Sequence, residues 1–238
     1  MKRLALVLLL LAGCGDFRDP GDLRYARTLA VRADPPWIPA DQRARIELLV
    51  TGNDGVPTVR APEMVTLAPP EPGRPVAPAE AMTLIAHQAE GWYVSAPSAE
   101  VLAQLRQALS LPADAPVPLP LSVSATIDGQ LRPAEKIVWL GGASSNPTIT
   151  GMTVDGQPME DGSPVVVPAA GIHTLTGMAT GEGTLSYSWY SAFGELKKYR
   201  EPTATFEKAQ PGEMGAVVLV VRNDRGGVTW RFGSLKAQ

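Results

Sequence analysis

Short alternating runs of apolar and polar residues, cut apart by Gly and Pro, dominate this chain after its first dozen positions. In "RIELLV" Ile46, Leu48 and Val50 alternate with Glu47 and Leu49, the period of two that marks a half-buried strand. A companion strand is predicted over 27–33. Pro35, Pro36 and Pro39 lie between the two and forbid a continuous ladder, because proline has no N–H to donate. Asn53-Asp54-Gly55 supplies a tight turn. Residues 57–80 are proline-rich, and only 63–67 predicts a strand there. "AMTLIAH" (81–87) and "GWYVSA" (91–96) predict two more. One helix is predicted near 98–110, with Ser98 as N-cap, Glu100 in its first turn and Val101, Leu102, Leu105, Ala108 and Leu109 on one face; Pro112 stops it. "PLSVSATIDGQLRPAEKIVWL" then reads as a hairpin turning at Asp128-Gly129.

Beyond "GASSNP" (142–147) the pattern restarts. Strands are predicted at 148–154, 171–180, 184–191, 203–209, 215–222 and 227–235, with a turn at Asp155-Gly156. So many short strands spaced by turns within roughly 90–100 residues is the pattern of an immunoglobulin-like sandwich. The fold expected is all-β: two tandem immunoglobulin-like β-sandwiches over 25–141 and 148–238, with one short helix in the first and a hinge at 142–147.

The chain's beginning carries a different signal. Lys2 and Arg3 precede an unbroken apolar run from Leu4 to Leu11, too short for a membrane span of roughly 20 residues but suited to an export signal. Leu11-Ala12-Gly13-Cys14 resembles the lipobox of bacterial lipoproteins. That resemblance implies a signal peptide over 1–13, cleavage between Gly13 and Cys14, a diacylglyceryl group on the Cys14 thiol and an acyl chain such as palmitate on the new N-terminus. Several acyl chains anchor stably where one does not. Residues 14–24 then read as a flexible tether, and Gly15 after the cysteine, in place of an Asp, favours the outer membrane.

Composition narrows the partners. The 238 residues carry 21 Lys+Arg against 24 Asp+Glu; without Lys2 and Arg3 that becomes 19 against 24, a net of −5. A mildly acidic chain with no basic stripe argues against nucleic acid. Cys14 is the only cysteine, so with it lipidated there is no disulfide, zinc cluster or thiol nucleophile.

The second half resembles the immunoglobulin-like and PKD-like modules of bacterial surface proteins, on the strength of "LSYSWYSAFGEL" (185–196) and "ATFEKAQPGEMGAVVLVVRNDRGG" (204–227). The resemblance implies that Trp189 is the core tryptophan, with Leu185 and Tyr187 on its face, and that Pro211-Gly212 and Asn223 to Gly227 are turns. Gly194-Glu195-Leu196 stands where PKD modules have a Gly-Asp-Gly turn. "LAVRADPP" and "IELLV" resemble the start of uncharacterised lipoproteins from myxobacteria-like groups, over residues 29–50.

Catalytic constellations are sparse. His87 and His173 both fall in predicted strands, where a sheet-face role is expected, and no G-x-S-x-G, P-loop or H-E-x-x-H is present. Asp155, Glu160 and Asp161 are the candidates for a metal, as calcium favours oxygen ligands on turns, but their spacing is not that of an EF-hand. Trp37, in its proline-rich loop, is the candidate binding residue, while Trp92, Trp139, Trp189 and Trp230 read as core. No cofactor is implied. The function expected is that of a lipid-anchored envelope protein, structural or protein-binding and not enzymatic, whose edge strands and loops meet an envelope or surface protein. The alternative is an envelope hydrolase or carbohydrate-binding accessory using the acids near 155–161 or exposed tryptophans.

Overall fold

The computed structural model describes residues 19–70, 72, 79–160 and 162–238. Gly13, Cys14 and the rest of the signal, together with Asp161, lie outside the described residues.

The first alternating runs form β1 (Arg27–Asp34) and β3 (Arg43–Thr51), paired antiparallel. At Pro35 and Pro36 the chain leaves that ladder and crosses to a second sheet as β2 (Trp37–Ile38). There it runs parallel to β9 (Gln130–Leu140), with Trp37 opposite Trp139. Strands β4 (Pro57–Arg60), β5 (Met64–Leu67), β6 (Ile85–Gln88), β7 (Gly91–Ser95) and β8 (Val117–Ile127) complete the first sandwich. Its sheets run β1-β3-β7-β6, with β4 also on β3, and β2-β9-β8-β5. The hairpin β8–β9 turns at Asp128 and Gly129, both at positive φ (49° and 73°), as a tight primed turn requires.

Two local expectations fail here. Residues 57–60 form a strand despite Pro57, because proline is tolerated as a strand's first residue. Residues 79–84 form a 3-10 helix, and the strand starts only at Ile85. The Thr83 hydroxyl donates back to the Glu80 carbonyl at 2.8 Å, a local bond that competes with a ladder. The helix α1 spans Ala99–Ala108, capped by Ser98 Oγ, which accepts from Val101 N–H at 3.4 Å; of its apolar face only Leu102 is fully buried.

The second sandwich repeats the plan. It comprises β10 (Thr148–Val154), β11 (Gln157–Pro158), β12 (Val165–Val167), β13 (Ile172–Thr180), β14 (Leu185–Ser191), β15 (Glu195–Lys197), β16 (Thr203–Glu207), β17 (Met214–Asn223) and β18 (Val228–Ala237). Its sheets run β11-β10-β13-β16-β15 and β12-β18-β17-β14. Again a short segment after the first strand crosses sheets and runs parallel to the last strand, β12 against β18. Pairs of facing sheets in this order, antiparallel except for β2 on β9 and β12 on β18, are immunoglobulin-like sandwiches in tandem, with one short α-helix in the first. Trp189 is fully buried in the second core, its Nε1–H donating to the Glu201 carbonyl at 3.0 Å.

A third apolar cluster lies between the sandwiches. Leu29, Ala30 and Leu49 from β1 and β3 pack against Val218, Val220 and Val228, with Tyr190, Trp230 and Phe232 alongside. Strand β17 is therefore buried on both faces: Val217, Leu219 and Val221 point into their own core, and Val218 and Val220 point into this seam, all at 0% exposure. An unbroken apolar run is what two-sided burial demands.

Residues 19–24, expected to belong to a flexible tether, are instead part of this seam. Leu23 is fully buried in it, and its N–H donates to the Ser191 carbonyl at 2.8 Å, laying the segment along β14. The stretch 142–147, read as a hinge, is bonded to both sides. Asn146 Nδ2 donates to the Ala33 carbonyl at 3.0 Å, and Asn146 Oδ1 accepts from Val228 N–H at 2.8 Å.

Candidate functional site in the cleft between the sandwiches

Where the seam opens, a cavity of about 450 Å³ lies between β1 and β9 of the first sandwich and the β17–β18 turn of the second. Thr28 to Val31 form one wall, at a bulge in the β1–β3 register between Thr28 and Ala30. Lys136 comes from β9. Side chains alternate along a strand, so Lys136 shares the inward side with Val138 and Leu140, both core residues. Its Nζ donates to the Gly226 carbonyl of the other sandwich. From the second sandwich come Arg222 at the end of β17 and the turn Asn223 to Val228.

The cleft is electrostatically unusual. Lys136 is only 8% exposed, and burial, with Arg222 as a smaller like-charge contribution, pushes its ammonium down to about 8. Arg222 donates to Ser188 Oγ at 3.2 Å and to the Leu29 carbonyl at 2.7 Å. Among the described residues, neither cation forms an ion pair. Glu135 and Asp224 also line the cavity, on its exposed side. Asn223 Oδ1 accepts the Gly227 N–H at 2.6 Å, while Asn223 Nδ2 and Thr28 Oγ1 are buried without a hydrogen-bond partner among the described residues.

Trp37 stands beside this cleft as a clamp. Its ring lies 6.2 Å from that of Trp139, Arg225 sits 5.5 Å from its centroid, and Nε1–H donates to the Arg225 carbonyl at 2.8 Å. A Cβ on Gly142 would fall 2.8 Å from the Trp37 ring, so the linker backbone presses directly on it. Arg225 in turn pairs with Glu182 at 3.0 Å, and Ser144 Oγ donates to the same carboxylate oxygen at 2.9 Å.

The acids nominated from sequence lie elsewhere. Asp155, in the β10–β11 turn, accepts from Thr174 N–H at 2.8 Å and contacts His173 Nδ1 at 2.7 Å. Partial burial opposes its ionisation, but the Thr174 N–H and the His173 ring outweigh that and hold the carboxyl below its ordinary value. His173 is buried, its other ring nitrogen facing the Pro168 carbonyl at 2.8 Å. Glu160 is exposed, and among the described residues no three His, Cys, Asp or Glu side chains group as metal ligands would. His87 lies exposed on β6, edge-on to Trp92 at 5.0 Å. Trp189 is buried, while Trp37, Trp92, Trp139 and Trp230 are half-buried. Lys136, Arg222, Asn223 and Thr28 were not nominated. The available signal was a lysine in core register two residues before Val138.

No protein-family model matches the chain, and no curated protein matches it in sequence. Among solved structures it is similar to a nucleoside hydrolase-related hypothetical protein from Saccharophagus degradans associated with carbohydrate metabolism, at 14% identity and TM-score 0.34, over 40% of this chain and 26% of that one. It is similar to extracellular domains 3–5 of Drosophila OTK at 11% identity and TM-score 0.32, over 89% of this chain and 61% of that one. The N-terminal Ig1-2 module of the Drosophila receptor protein tyrosine phosphatase DLAR gives 13% identity and TM-score 0.34, over 90% and 98%. The fold assignment rests on the strand pairing described above, not on these likenesses.

Proposed function

We infer that this chain is a lipid-anchored protein of the bacterial cell envelope, held through Cys14, with a structural or protein-binding role and no catalytic one. The observation that carries this reading is Leu11-Ala12-Gly13-Cys14 behind a basic start and an eight-residue apolar run, in a chain with no second cysteine. The outer membrane is the destination favoured by Gly15. The fold suits the role. Four residues separate Cys14 from Asp19, a reach of at most about 18 Å, so an anchor there would hold the edge of β14 close to the bilayer. The paired sandwiches would then stand on the membrane as one body, with β5 and β6 ending their sheets as edges for a protein partner.

The test is detergent phase partitioning and palmitate incorporation for the full chain and for Cys14→Ser, both expressed in a bacterial host. The wild type is expected in the detergent phase with label, and the variant in the aqueous phase without it. Equal partitioning of the two would overturn the anchor.

A further inference from the structure

Buried cations in proteins are ordinarily matched by a carboxylate or a bound anion. The interdomain cleft departs from this. Among the described residues the buried Lys136 meets the Gly226 carbonyl and no carboxylate, and the half-buried Arg222 gives two of its five N–H groups to Ser188 Oγ and the Leu29 carbonyl and pairs with no acid. The Thr28 hydroxyl and Asn223 Nδ2, sealed behind the same walls, have no partner among the described residues. An amide nitrogen, an ammonium and a guanidinium can only donate. One cationic residue from each sandwich thus lines one space of about 450 Å³.

We propose that this cleft is a binding site for a small oxyanion carried on an apolar or aromatic body, with Lys136 and Arg222 holding the anionic group. Ile137 and Trp139, half-buried on the same walls, supply the surface for the body. The charged group acting on Lys136 is Arg222 from β17; Glu135, on the opposite side of β9, and Asp224 from the turn line the exposed side of the cavity. The exposed Asp224 carboxylate opposes a second negative charge, so the site takes a single anionic group in preference to polyanions. Because its donors come from both sandwiches, a bound ligand also stabilises their docking.

Calorimetric titration of the full chain in detergent with sodium benzoate and sodium sulfate tests this, at about pH 6.5 and about pH 9.5, conditions between which neither probe titrates but Lys136 does. Benzoate is expected to bind at the lower pH, sulfate more weakly, and benzoate affinity to fall about tenfold at the higher pH. Lys136→Met is expected to lose about tenfold at the lower pH and to abolish the pH dependence. Absence of binding by either probe at the lower pH would overturn the site. Equal affinity in wild type and Lys136→Met, or a pH-independent wild type, would overturn the role of Lys136. Sulfate binding as tightly as benzoate would overturn the apolar half of the site. The wild-type pH arm needs no variant to fold, and none of these readouts depends on the lipid anchor.

Discussion

Asn146 Oδ1 accepts the backbone N–H of Val228 at 2.8 Å, while its Nδ2 donates to the carbonyl of Ala33 and, at 3.1 Å, to the carboxylate of Asp34. One side chain in the connecting stretch thereby fixes the last strand of the second sandwich to the first strand of the first. Replacing it strands a partly buried N–H and carbonyl, at about 1–3 kcal/mol. Asn146→Ala is expected to lower the urea midpoint and to raise hydrogen exchange at Val228, with the far-UV spectrum unchanged. Unaltered exchange at Val228 would show that the bond does not hold the junction.

The seam makes the two sandwiches unfold together. Leu49 is fully buried in it and in neither sandwich's own core. Leu49→Ala should cost about 2–5 kcal/mol. Because the loss falls on the contact between the sandwiches, one denaturation transition should become two, followed by Trp fluorescence and by circular dichroism. A single, merely shifted transition would mean that the halves are coupled by other means.

Gly177 is a close-approach glycine. A Cβ there would lie 2.6 Å from Leu219 Cδ2 and 3.1 Å from Trp189 Cζ2. Alanine ordinarily improves on glycine in a strand, but here overpacking should win, at about 1–3 kcal/mol of lost stability. A Gly177→Ala protein as stable as wild type in thermal melts would contradict the packing around Trp189.

Acid should weaken the β10–β11 turn. The Asp155 carboxyl is held below its ordinary 3.8, so its contribution is complete above that value and disappears as pH falls through the lower, folded one. The stability difference between wild type and Asp155→Asn, from urea unfolding, should therefore be present at neutral pH and shrink below pH 3.8. A difference that grew on acidification would have the wrong sign.

Lys136 gives the opposite limb. With its ammonium near 8 when folded and 10.5 when not, its burial costs the folded state fully below about 8. Between those values the unfolded chain holds the extra proton, so stability from this group rises with pH. Lys136→Met should be more stable than wild type at neutral pH, by up to about 3 kcal/mol less the lost bond to Gly226. The gain should fade above pH 10.5. A variant less stable at pH 7 would show that the lysine's contacts outweigh its burial.

Much of the fold was legible because it follows from local rules. Leu185, Tyr187 and Trp189 do share the core-facing side of β14, and Asp128-Gly129 does close the longest hairpin. What escaped depends on distant partners. A single leucine in "GDFRDPGDLR" gives no period to read, yet Leu23 is wholly buried because β14 and the seam receive it. The unbroken "VVLVV" carried the mark of two-sided burial, but nothing in it named the first sandwich as the second cover. The cleft was hidden for the same reason. Lys136, Arg222 and Thr28 are far apart in sequence, and each is ordinary for its strand until the sandwiches dock.

Tandem sandwiches are usually portable, because few contacts cross the boundary between them. Strand β17 removes that freedom here. A recombination breakpoint at 142–147 would hand one descendant Leu29 and Leu49, and the other Val218, Val220, Trp230 and Phe232, each laid open to water as an adhesive stripe. The two halves look like beads that could be restrung, yet the smallest piece that can move between proteins intact is the pair.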